Sequence, residues 1–177
     1  MKVKIGSYPK HRWYHNFLYD WFEYSPERKV SVKLDASDTW SMDDTLGHII
    51  LPMLYQLAKT KHGSPLVDAK DVPEHLQGNT DEDEDLIHDR WDWVMTEMIW
   101  AFETKINNSD WIQDFCTGEH DFVDVPVLSS KGEIIGYEMT RGSGDTFKMD
   151  HEGIKVYQDR ISNGFRLFGT YYEGLWD

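Results

Sequence analysis

Residues 85–107, DLIHDRWDWVMTEMIWAFETKIN, carry the strongest periodicity in the chain. Ile87, Trp91, Val94, Met95, Met98, Phe102 and Ile106 recur at three- and four-residue steps, which predicts a helix over about 85–107. Trp93 and Trp100 fall seven residues apart on a second face, with Ile99 between the two faces. A helix that is apolar on more than one side is either central to its fold or packed against a partner chain. The rest of the sequence is read as what surrounds it.

Two further long helices flank this segment. In 41–61, Ser41 and Asp44 have the spacing of a capping box, and Asp43 and Asp44 fall in the first turn, where the helix dipole favours negative charge. Leu46, Ile49, Ile50, Met53, Leu54 and Leu57 form one apolar stripe. Pro52 inside it predicts a kink or a division. Lys59, Lys61 and His62 close the helix, with Gly63 as its C-cap. The third helix spans about 151–168. Asp150 caps it, Ile154, Tyr157, Ile161, Phe165 and Phe168 face inward, and Gly164 and Gly169 weaken its end. A shorter helix over 12–24 repeats Trp13, Phe17 and Trp21, with Phe22 beside them.

Alternation predicts strands at 2–6, ended by Pro9, and at 29–34, where Val30, Val32 and Leu34 share a face. Extended pieces follow at 121–128, 131–139 and 146–149, with turns at Ser129–Gly132 and at RGSGD, 141–145. Residues 64–85 read as an acidic loop. The expected fold is α+β: a mainly helical single domain over 1–177, with three long helices and a small antiparallel sheet.

The 177 residues carry 32 acids and 18 bases, a net charge of −14 that argues against general binding of nucleic acid, where clustered Lys and Arg are needed. Between Asp68 and Asp92 lie ten acids and two bases, so this stretch supplies −8 and leaves −6 elsewhere. Its centre, Asp81–Asp85, reads as a solvated helix entry, with a divalent-cation site as the lesser alternative. Aromatic residues make up 14 %, too rich for a disordered chain. The lone Cys116 excludes an internal disulfide and a zinc site of CxxC type. The start has no apolar leader core, and no stretch is long enough to span a bilayer, so a soluble intracellular protein is expected.

Three stretches are distinctive together: WSMDDTLGHIILPMLYQLAKTKHGSP (40–65), HDRWDWVMTEMIWAFE (88–103) and TFKMDHEGIKVYQDRISNGFRLFGTYYEGLWD (146–177). Through them the chain resembles a family of proteins encoded by tailed bacteriophages, abundant in marine viral sequences. The resemblance covers most of the chain, apart from the acidic loop and 108–145. It implies a phage protein acting in the cytoplasm of an infected bacterium, and that setting implies a counter-defence or takeover role. It brings no catalytic motif.

Several constellations suit chemistry, each with a structural alternative. Asp44 and His48 are four apart on one helix face, a weak metal pair whose alternative is an i,i+4 surface contact. His11 with His15, and Glu84 with His88, share that spacing. Glu97, among apolar neighbours, would be a general acid or base with a raised pKa, or else the partner of an Arg or Trp N–H. Cys116 and His120 lack the glycine-rich elbow of a nucleophile. RGSGD, with Arg141, offers an anion-binding nest or an ordinary turn. Lys59, Lys61 and His62 form a small basic cluster or a helix end. Arg160 and Arg166 lie among aromatics, and with Trp91 and Tyr157 they suit stacking of a base and binding of phosphate, unless they pair with acids of another helix.

Eight Trp, nine Tyr and eight Phe exceed what a domain of this size buries, so the surplus points to a subunit interface or a ligand pocket. The expected function is a non-enzymatic, homo-oligomeric binding protein, without cofactor, that sequesters a small nucleotide-type immune signal. The alternatives are a structural or morphogenetic phage protein that binds host or phage proteins, and a metal-dependent hydrolase using Asp44, His48 and Glu97. An acidic mimic of nucleic acid ranks below these, because most of the charge lies in one loop.

Overall fold

The computed structural model describes residues 1–7, 10, 12–22, 27–79 and 84–176, excepting the side chains of Phe17, Asp20 and Phe22. Pro9, His11, the acids at 81–83 and the side chains of Phe17 and Phe22 therefore lie outside the described residues. In chain order the elements are β1 (Lys2–Ile5), α1 (Trp13–Phe22), β2 (Val30–Lys33), α2 (Met42–Thr60), α3 (Asp85–Asn107), β3 (Cys116–Thr117), β4 (Phe122–Leu128), β5 (Ile134–Arg141), β6 (Lys148–Met149) and α4 (His151–Thr170). Among the described residues this is a mainly helical α+β fold with three long helices. Its strands form three separate antiparallel pairs, not one sheet. The chain divides into two compact units, Met1–Leu46 and Gly47–Asp177.

In the first unit β1 and β2 pair in the register Lys2↔Lys33, Val3↔Val32, Lys4↔Ser31 and Ile5↔Val30. Alternation puts three lysines on one face and Val3, Ile5, Val30 and Val32 on the other. That apolar face is largely uncovered: Ile5, Val30 and Val32 are all exposed.

In the second unit α3 is the central element, as its two apolar faces require. Trp91, Val94, Met95, Met98 and Phe102 are buried, joined by Leu51 and Leu54 of α2 and Leu167 of α4. Gly164, predicted to weaken α4, instead lets it approach α3. A Cβ there would strike Ala101 and come within 2.7 Å of the Glu97 carbonyl. Gly47 plays the same part on α2, where a Cβ would lie 2.6 Å from Ile106 Cδ1. Asp150 caps α4 by accepting the Gly153 N–H at 2.9 Å.

Two expectations for α2 change. The helix is not divided at Pro52 but continues through it to Thr60, and Pro52 and His48 are both exposed there. Gly63 is not left-handed, since the glycines at positive φ are Gly118 and Gly132. The loop after α2 is also no free tether. Val67, Asp71 and Val72 are buried. The buried Arg90 of α3 donates to the carbonyls of Leu76 (2.7 Å), Val67 (3.2 Å) and Gly78 (2.6 Å), pinning the loop to the core.

Candidate functional site

The side chains singled out as cationic binders are mostly closed on the chain's own acids. Arg160 of α4 makes two hydrogen bonds to Glu97 of α3, at 2.9 and 2.7 Å. The same guanidinium lies 3.9 Å from the centre of the Trp100 ring. Glu97 holds the Arg160 pKa above its ordinary value, chiefly through this hydrogen bonding. Glu97 is thus the partner of an arginine, not a free buried acid. Beyond Trp100 the aromatic run continues: Tyr157 meets Trp100 edge-on at 5.1 Å and stacks on Trp111 at 4.7 Å. Tyr157 is thereby half-buried in a packed cluster.

Arg166 pairs with Asp71 at 2.9 Å and donates twice to Asn163. The Tyr171 hydroxyl donates to the other oxygen of Asp71 at 2.8 Å and accepts the Asp68 N–H at 3.0 Å. Burial first, and the bond to Asp71 second, push the Tyr171 pKa up to about 12. Trp91 is 1 % exposed and packs edge-on against Tyr171, so its ring is part of the core.

The RGSGD turn does hold an anion, and the anion is the chain's own Asp121. Gly144 N–H donates to its carboxylate at 2.9 Å, and a Cβ on Gly142 would strike the same group. Arg141 lies 3.5 Å from Asp145, with its side chain mostly exposed. Lys59 is exposed in the last turn of α2, and Lys61 pairs with Asp92 at 2.5 Å. Asp44 and His48 are both exposed. Among the described residues no group of three His, Cys, Asp or Glu side chains can hold a metal ion. Cys116 donates to the Ile112 carbonyl at 3.4 Å, and His120 stacks on Phe147 at 3.8 Å, so the two have separate partners.

Two features that the sequence did not single out are open instead. The first is an apolar cleft of about 740 Å³ between α2 and the C-terminal end of the chain. Ile50, Met53 and Leu57 form one wall, and Phe168, Tyr172 and Trp176 the other. Its size suits a small ligand.

The second is the β4–β5 hairpin. Its register runs from Phe122↔Arg141 through Val125↔Glu138 to Val127↔Gly136, then breaks at a bulge near Ile135. Phe122, Leu128, Tyr137 and Met139 stand on one face and Val123, Val125 and Val127 on the other, and all are exposed. Alternating apolar and polar residues would signal one covered face, but here both faces carry apolar residues.

Among the described residues no helix is long and apolar enough to cross a membrane. No family model, curated protein or solved structure matches the chain.

Proposed function

We propose that this chain is a non-enzymatic binding protein that works through protein–protein contact, with the β4–β5 hairpin as its contact element. The observation that carries this reading is the hairpin's surface. Tyr137 and Met139 are each 67 % exposed, and apolar side chains continue over both faces. Contiguous apolar surface of this kind marks an interaction site on a soluble protein. A hairpin of two strands is also marginal alone and gains stability from a further strand. The apolar face of β1–β2 supports the same reading for the first unit. In the setting that the phage resemblance suggests, the partner is a phage or host protein in the infected cytoplasm, and the role is morphogenetic or counter-defence.

The test is affinity capture from host cells with the wild-type chain beside Tyr137→Asp and Val125→Asp variants. A protein retained in fixed stoichiometry by the wild type and lost with both variants is expected. Equal retention by all three would overturn the reading.

The cleft favours a second reading, sequestration of a nucleotide-type signal. Phe168, Tyr172 and Trp176 can stack on a planar base. Arg160 and Arg166 are engaged elsewhere, so phosphate would have to rely on other cations. Calorimetry against cyclic nucleotides, with Trp176→Ala as control, tests it. Micromolar binding lost in the variant would support it, and no heat at all would remove it.

A further inference from the structure

The outer edge of the hairpin can be read strand by strand. Gly142 N–H donates to the Asp121 carbonyl at 2.8 Å, which makes that pair a hydrogen-bonded one. Bonded and non-bonded pairs alternate along an antiparallel ladder. Thr140, Glu138 and Gly136 therefore bond inward to β4, while Arg141, Met139 and Tyr137 direct their N–H and C=O outward. Pro126, opposite Tyr137, falls at an outward position of β4 and leaves that edge without a donor at its middle. The edge of β4 is thus blunted and, among the described residues, the edge of β5 is open.

We infer that the open edge of β5 pairs antiparallel with β5 of a second copy of this chain, about a two-fold axis at Met139. This rests on the reading of the hairpin as a contact element and names its partner. The register follows by elimination. An axis at Glu138 sets that acid directly against its own copy. An axis at Tyr137 runs the pairing into the bulge at Ile135. An axis at Thr140 runs it off the strand into the RGSGD turn.

The axis at Met139 avoids all three faults. It places Met139 against the partner's Met139, Glu138 against the partner's Thr140, and Tyr137 against the partner's Arg141. Tyr137 and the Arg141 side chain are both exposed, so ring and guanidinium are available to each other across the edge. The contact is self-complementary and closed, and it turns two marginal hairpins into one sheet of four strands. Two chains of net charge −14 repel, so added salt strengthens this dimer, whereas it would weaken a contact steered by opposite charge.

Sedimentation velocity on the full chain at low and high salt tests the inference. The wild type is expected to dimerise, more tightly in high salt. Met139→Glu and Met139→Lys, each placing like charges on the axis, should raise the dimer dissociation constant by about 100-fold or more, while leaving the melting temperature unchanged at protein concentrations low enough that the wild type is also monomeric. An equimolar mixture of the two should form a heterodimer. Independently, Met139→Cys in a Cys116→Ser background should cross-link to itself under mild oxidation. A wild type that stays monomeric at about 100 μM in high salt, or a dimer indifferent to Met139→Glu, would overturn self-pairing. If that monomer still captures a host protein that Tyr137→Asp loses, self-pairing alone falls and the hairpin remains the contact element.

Discussion

Glu97 and Arg160, on neighbouring helices, are joined by two hydrogen bonds of 2.9 and 2.7 Å, with the carboxylate side chain 9 % exposed and the guanidinium side chain 48 % exposed. The asymmetry decides what each substitution does. Arg160→Met strands a buried carboxylate and should cost about 2–4 kcal/mol. Glu97→Gln leaves a guanidinium that water can reach and should cost about 1–2 kcal/mol. Urea unfolding of both variants measures the order. Equal costs would show that Glu97 finds another partner.

The Asp71–Tyr171 contact predicts a pH dependence. The folded pKa of Tyr171, about 12, lies above its ordinary 10.0, because burial and the bond to Asp71 favour the neutral phenol. A raised pKa contributes stability that is full below pH 10 and is lost as pH rises toward 12. Wild type should therefore be more stable than Tyr171→Phe at pH 8, and the gap should close across that alkaline window. Melting temperatures of both proteins over the range check it. A gap that widens instead would mean the phenolate is favoured.

Close approach of α3 and α4 at Gly164 makes that position intolerant. Gly164→Ala improves intrinsic helix propensity yet places a methyl against Ala101 and the Glu97 carbonyl. The clash should dominate and destabilise by about 1–3 kcal/mol. Gly169→Ala, where nothing lies within 4 Å of the added Cβ, should be neutral or stabilising. Thermal melts of the pair separate packing from propensity.

Arg90 pins the loop after α2 through three carbonyls, so Arg90→Met should free it. The expected cost is about 2–4 kcal/mol, with hydrogen exchange rising first over residues 67–78. Unchanged exchange there would mean that Val67 and Val72 hold the loop without Arg90.

How much of this was legible in the sequence depended on range. The period of Ile87, Trp91, Met95 and Met98 placed α3 at Asp85–Asn107, and Asp150 marked the start of α4, because helix period and caps are local signals. The sites were set by partners far along the chain. Arg160 meets Glu97 across 63 residues, and Asp121 fills the RGSGD nest from 23 residues before Gly144. Composition suggested free cations for a phosphate, but spacing gave no view of the acids that engage them. The acidic loop misled in the same way, since its charge hid Val67 and Val72, which belong to the core. The aromatic surplus was only partly core: Trp13, Trp21, Trp40 and Trp176 remain exposed.

The most direct test of the central claim is amide hydrogen exchange along β5 as protein concentration is raised. The claim that this edge is a contact surface predicts that the outward amides of Tyr137, Met139 and Arg141 become protected with concentration, while the inward amides of Glu138 and Thr140 are protected throughout. Outward amides that exchange freely at every concentration, alone and with any captured partner, would contradict it.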